Sequence, residues 1–285
     1  MIINNRSSIS ICNKFKLTWL YIFFLCVAVV HSYAHEFWIE PTHYELKNNN
    51  LEAHLRVGQD FSGMVLMYNE ADFEDFRILS GNKNKKEEVR GVIGDVPALK
   101  MQTQLQDLLI IVHETTDKVV NYKKFQKFKE FVISKGKEDL IDEHTSMGYP
   151  EEDFNETYRR YAKSLIVVNG SKGEDKKTGL LFEFVLQENP YELKNNKISA
   201  ILYYKKKILK NHQVEIFSRK DNVDFKKEKL QTDDRGVVSF DAEPGRDYLI
   251  DAVIIYPIKG DANKKEPIWH SIWASTTFHI PEKNI

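Results

Sequence analysis

Residues 198–204, 213–218, 237–240, 248–256 and 272–280 are five short strand-like runs crowded into roughly 80 positions, a spacing that leaves no room for long helices. Turn chemistry separates them at Asn211, at Asp233-Asp234-Arg235-Gly236 and at Pro244-Gly245, because these residue types supply the backbone conformations of tight reversals. Short strands punctuated in this way predict an all-β sandwich. In the last run Ile272, Ala274, Thr276, Phe278 and Ile280 share one face and read as core. Trp273, Ser275, Thr277 and His279 share the other, which would pack on the preceding part of the chain.

That preceding part is also β-like from residue 35 to about residue 120. Leu51, Ala53, Leu55 and Val57 alternate with Glu52, His54 and Arg56, the signature of a half-buried strand that Gly58 would end. Further strands are predicted at 64–68, 76–79 and 108–113. Leu108-Leu109-Ile110-Ile111-Val112 is apolar throughout and predicts a central strand buried on both faces. The pattern then changes. Tyr122, Phe125, Phe128, Phe131 and Val132 fall at helical spacing, with Gly136 as the stop, and Phe154, Tyr158, Tyr161, Ala162 and Leu165 predict a second helix. A polar loop at 143–153 would join them, completing a helical insert over about 121–166. Strand character returns at 165–168 and 180–186. Asn189-Pro190 then marks a boundary, since proline stops a strand. The lysine-rich patches at 82–86, 205–207 and 226–229 read as solvated turns.

Residues 1–34 read as an export signal: a polar start with Arg6, Lys14 and Lys16, an apolar run over 17–30, and small residues at Ser32 and Ala34 that fit cleavage after Ala34. The apolar run is short for a membrane span of about 20 residues. Cys12 and Cys26 both lie in this leader, so the exported chain would have no cysteine. The whole chain carries a formal net charge of −1, and losing three basic residues makes the remainder more acidic, which argues against nucleic acid as a partner. The expected location is the periplasm or the exterior, with membrane contact only through the leader. Cleavage would make His35 the first residue, placing a free α-amine beside its imidazole so that both nitrogens could chelate one metal ion.

Several dispersed segments carry a resemblance: Ala34-His35-Glu36-Phe37-Trp38-Ile39-Glu40-Pro41, Leu55-Arg56-Val57-Gly58, Arg159-Arg160-Tyr161-Ala162-Lys163-Ser164-Leu165, Glu188-Asn189-Pro190-Tyr191, Thr232-Asp233-Asp234-Arg235-Gly236-Val237 and Trp269-His270-Ser271-Ile272-Trp273-Ala274-Ser275-Thr276-Thr277-Phe278. In this order they resemble a periplasmic domain-of-unknown-function family that bears the label nickel-uptake or cobalt-transport periplasmic component. The resemblance implies a mostly-β, two-domain β-sandwich protein, with a first domain at 35–190 holding the helical insert and an immunoglobulin- or transthyretin-like second domain at 191–285. It also implies a metal ion as ligand and a membrane metal transporter as partner. The chain departs from the family at Ala252-Val253-Ile254-Ile255, where the resemblance implies a histidine and this sequence is wholly apolar.

Eight histidines remain from residue 35 onward: His35, His43, His54, His113, His144, His212, His270 and His279. None is spaced as in a His-Glu-x-x-His site, so a metal site must be assembled across strands. His35 is the foremost candidate ligand, with His113 at the end of the apolar strand and His270 in the loop before the last strand as its expected partners. Two imidazoles and an amine suit Ni, Co or Cu better than Mg or Ca. His54, His144 and His212 are expected at exposed positions. The sequence has no glycine-rich phosphate loop, no Gly-x-Ser-x-Gly elbow and no cysteine nucleophile outside the leader. The reading is therefore a non-enzymatic metal-binding protein of nickel, cobalt or copper handling. A structural or carbohydrate-facing β-sandwich module without metal, and a terminal-histidine copper redox enzyme, are the alternatives.

Overall fold

The computed structural model describes residues 35–221 and 223–282; the leader, its cysteines and the expected cleavage segment lie outside the described residues. The first half contains β1 (Glu36–Pro41), β2 (Glu45–Leu46), β3 (Asn50–Gln59), β4 (Ser62–Leu66), β5 (Phe73–Ser80), β6 (Lys86–Glu88), β7 (Leu99–Gln102), β8 (Asp107–Thr115) and β9 (Lys118–Tyr122). Two helices follow, α1 (Phe125–Ser134) and α2 (Asp139–Ser146), and then β10 (Phe154–Val168), β11 (Phe182–Leu186), β12 (Lys197–Tyr204) and β13 (Lys207–Ile208). The chain continues with β14 (Gln213–Lys220), β15 (Asp224–Gln231), β16 (Val237–Asp241), β17 (Arg246–Pro257) and β18 (Pro267–Ile280). Among the described residues the protein is thus mostly β with two α-helices.

A ten-stranded sheet in the order β15-β14-β17-β18-β10-β8-β5-β6, with β2 and β9 also paired to β10, forms the middle layer. One of its faces packs on the sheet built from β11, β12, β13 and β16, enclosing Leu108, Ile110, Leu165, Phe184, Ile250 and Phe278. The other face is covered in two places. The sheet of β1, β3, β4 and β7 lies over Leu109, Ile111, Ala162 and Ile166, while α1 and α2 lie over Val253, Trp269 and Trp273. The described residues form one compact unit. Within it the strands flanking residue 190, β11 and β12, pair with each other, and β10 runs parallel to β18 in the middle sheet.

The second predicted helix is instead β10, a 15-residue strand, so the helical insert shrinks to α1 and α2 and occupies part of the expected polar loop. The spacing misleads because the middle sheet is covered on both faces. Tyr161, Leu165 and Val167 enter one core while Ala162, Ile166 and Val168 enter the other, which removes the period-two signal. The β-branched run Ile166-Val167-Val168 is what favours the strand. The lysine patch at 226–229 is likewise part of a strand, β15, which is exposed along its length and pairs with β14 at the edge of the sheet. Charged lysines at an edge discourage pairing with another chain.

Strand β3 does not stop at Gly58 but runs on to Gln59, and Gly58 sits opposite Gly63 of β4. A Cβ at Gly63 would lie 2.2 Å from the Val57 carbonyl oxygen, so the glycine pair exists to let two backbones approach. Gly63→Ala is expected to destabilise the protein by about 1–3 kcal/mol, because backbone rather than a flexible side chain must yield. The shift in urea midpoint checks this, and an unchanged midpoint would show that the β3–β4 hairpin adjusts freely.

Candidate functional site

Helix α1 forms because Phe125, Phe128, Phe131 and Val132 make one buried face, which stacks on β18: the Phe128 and Trp269 rings lie 4.9 Å apart and those of Phe131 and Trp273 5.7 Å apart. It ends as the sequence predicts. Gly136 takes φ +65° and the Lys137 amide donates to the Val132 carbonyl at 2.8 Å, closing a glycine-terminated helix end. This turn drives Lys135 inward against the sheet rather than out to water. Its ammonium lies 4.9 Å from the Trp273 ring centroid.

Three acids meet it there. Glu36 begins β1, Glu215 lies on β14 and Asp251 on β17, and the last two are direct cross-strand partners on the face beneath α1. Opposed like charges on neighbouring strands repel, and burial in a low-dielectric site strengthens that repulsion. Exposure is 5% for Glu36, 2% for Glu215, 1% for Asp251 and 7% for Lys135. Lys135 Nζ is 3.1 Å from Glu36 Oε1 and 3.6 Å from Asp251 Oδ2, and it hydrogen-bonds Glu215 Oε2. From the solvent side Lys227 Nζ reaches Glu215 Oε1 at 3.1 Å and Asp60 Oδ1 at 3.0 Å. One carboxylate oxygen from each of Glu36, Glu215 and Asp251 lies within 4.8 Å of the others. Neither oxygen of Asp251, nor Glu36 Oε2, accepts a hydrogen bond.

The electrostatics follow from this placement. Burial tends to neutralise Lys135, but the carboxylates of Asp251, Glu36 and Glu215 outweigh it and hold the ammonium more firmly protonated than an ordinary lysine. Burial pushes Glu215 up and the ammoniums of Lys135 and Lys227 more than reverse it, leaving its carboxyl below the usual range. Burial pushes Asp251 well up, Lys135 opposes, and Glu36 and Glu215 add to the rise. Asp251 therefore takes a proton more readily than Glu215.

The cluster opens on a cleft of about 330 Å³ lined by His35, Glu36, Gln59, Glu130, Phe131, Ser134, Lys135, Glu215 and Lys227. His35 is held at its rim by its own backbone, whose carbonyl accepts from Arg160 Nη2 at 3.0 Å. The strand that follows is pinned to β18, since Ser275 Oγ donates to the Phe37 carbonyl at 2.7 Å and Thr277 Oγ1 to the Ile39 carbonyl at 2.6 Å. Partial burial lowers the His35 pKa, against the opposing pull of Glu36, so its imidazole is neutral near pH 7.

The two histidines expected beside His35 do not line its cleft. His113 is 2% exposed and sits among Phe37, Phe73 and Phe76, with ring centroids 5.2, 5.5 and 4.9 Å away. Burial lowers its pKa to about 3, so it stays neutral. His270 is not in a loop but within β18, opposite Tyr256, whose ring centroid is 5.2 Å from its own. His144 and His212, expected at the surface, are buried. His144 donates from Nε2 to the Pro150 carbonyl at 3.0 Å and accepts at Nδ1 from Trp269 Nε1 at 3.1 Å; His212 Nε2 donates to the Val253 carbonyl at 2.9 Å.

Sequence reasoning missed Lys135, Glu215 and Asp251. The available signal was a lone acid inside each of two apolar strand runs, Val214-Glu215-Ile216-Phe217 and Leu249-Ile250-Asp251-Ala252-Val253.

No curated protein matches the chain. Among solved structures it is similar to the crystal structure of a tetra-tandem repeat in the extending region of a large adhesion protein, at 10% identity, over 86% of this chain and 49% of that one, with a TM-score of 0.19. The chain spans about half the length of that structure. The family comparison covers most of the sequence, from residue 32 to residue 255, and by it the chain belongs to the family described as a domain of unknown function, DUF4198.

Proposed function

We propose that this is an exported protein that binds a divalent transition metal in the His35 cleft and takes part in handling or uptake of nickel, cobalt or copper. The observation that supports it is that His35 lines the same cleft as Glu36 and Glu215, two of the three buried carboxylates that converge on one point. The proposed ligands are His35, with its α-amine after cleavage, and Glu36, Glu215 and Asp251. This mixed nitrogen and oxygen set suits divalent nickel or cobalt better than Cu(I), which prefers sulfur. A bound ion here would neutralise acids that oppose one another across β14 and β17. Export rests on the leader pattern, and the passing of metal to a membrane transporter on the family resemblance. Among the described residues no helix is long and apolar enough to cross a membrane.

Processed protein whose first residue is confirmed as His35, titrated with Ni²⁺, Co²⁺ and Cu²⁺, tests the reading. His35→Ala is expected to weaken Ni²⁺ or Co²⁺ binding by about tenfold or more. Binding no stronger than that of the His35→Ala control would favour the structural or carbohydrate-facing module. Oxygen consumption after reduction of bound Cu²⁺ would favour the terminal-histidine copper enzyme.

A further inference from the structure

Lys135 stands where the proposed ion would. Its ammonium contacts Glu36 and Glu215 and lies 3.6 Å from Asp251, so it occupies the point on which the three carboxylates converge. Two cations cannot share that point. The ammonium also leaves the acids incompletely served, since both oxygens of Asp251 and one of Glu36 accept no hydrogen bond although Asp251 is almost wholly buried. A divalent ion, with more charge and more coordination positions than an ammonium has protons, can use oxygens that Lys135 leaves idle. The lysine has somewhere to go. It lines the same cleft as Glu130, Phe131 and Ser134, and it follows the last residue of α1 immediately before the left-handed Gly136.

We propose that Lys135 is the resident counter-cation of this site, and that a divalent metal binds by exchanging with its ammonium, which swings into the cleft and loosens the C-terminal turn of α1. This rests on the metal-binding reading above and adds a regulation to it. Empty protein is closed by its own lysine, and loaded protein carries a displaced helix end that a partner can read. Because the metal must displace the lysine, the wild-type affinity is reduced by the cost of that displacement.

Co²⁺ affinity, measured for wild type, Lys135→Met, Lys135→Gln and His35→Ala, tests the exchange. Both Lys135 variants are expected to bind Co²⁺ about tenfold or more tightly than wild type, since the competing cation is gone. Hydrogen exchange of wild type at amides 131–137 is expected to speed up when Co²⁺ is added. Wild-type binding that depends on His35 but is unchanged or weakened in the Lys135 variants would overturn the exchange and leave the metal reading standing. No binding by any of the four proteins would overturn both. If neither Lys135 variant folds, the wild-type exchange rates decide, and amides 131–137 that slow or do not change at saturating Co²⁺ overturn the proposal.

Discussion

Lys135→Met, followed by chemical denaturation without added metal, is expected to lose about 3–5 kcal/mol of stability, the usual consequence of removing one partner from a buried ionic cluster. The size follows from what remains. Glu215 and Asp251 stay fixed opposite each other by the β14–β17 register, and Glu36 stays fixed by a strand whose carbonyls are held by Ser275 and Thr277. Asp251, 1% exposed and behind the cleft lining, cannot retreat to water. Lys227 and Lys229 reach Glu215 alone, at 3.1 and 3.8 Å, so they cannot replace a cation that touches all three acids. Uptake of a proton by Asp251, already pushed upward by burial, relieves part of the repulsion and sets the lower end of the range. A double-mutant cycle with Asp251→Asn isolates the pairwise part: coupling of about 1 kcal/mol or more supports the cluster as described, and additivity would mean that Lys135 acts through packing on Trp273 instead.

How much of this was legible beforehand depends on how many faces of each element are covered. Strand β8 announced itself because Leu108-Leu109-Ile110-Ile111-Val112 is apolar at every position, and the structure buries all five. Helix α1 and its glycine stop were legible because one face carries all of its aromatic contacts. Strand β10 was not, since Tyr161 and Ala162 serve different cores and the polar residues on either side of them, Arg160 and Lys163, are themselves buried. A sequence pattern records polarity, and here polarity does not mark the surface. Lys163 illustrates this: it is buried against Asp175 Oδ1 at 2.6 Å and donates to the Phe184 carbonyl at 2.7 Å. The candidate site was half legible for a related reason. His35 drew attention through the chemistry of a new terminus. Its acidic neighbours are brought together by sheet register and by one helix end, which no local spacing encodes.

The same buried-polar character gives the second large effect, at Glu156 on β10. Its carboxyl is wholly buried and accepts from Tyr122 Oη at 2.8 Å and from Ser271 Oγ, which in turn accepts from Trp273 Nε1 at 3.0 Å. Burial raises its pKa from 4.5 to about 7, against the opposing hydrogen bonds from Ser271 and Tyr122 and the charge of Arg160. The sign of the linkage is fixed by that order. Below pH 4.5 both folded and unfolded chains hold the proton; as pH rises toward 7 the unfolded chain loses it first, so stability falls across this window and levels off above it. The full loss is about 3 kcal/mol. His113 and His212, whose pKa values burial lowers to about 3 and about 4, act in the opposite direction, because they disfavour folding as pH falls below the ordinary histidine value. Comparison of Glu156→Gln with wild type removes their contribution, as both proteins carry them. Glutamine keeps a carbonyl acceptor and an N–H donor in place of the neutral acid. The variant is therefore expected to match wild type near pH 4.5 and to exceed it by about 3 kcal/mol at pH 8. A difference that does not change with pH would mean that Glu156 titrates in the folded protein as it does in the unfolded chain, with the hydrogen bonds from Ser271 and Tyr122 and the charge of Arg160 fully offsetting burial.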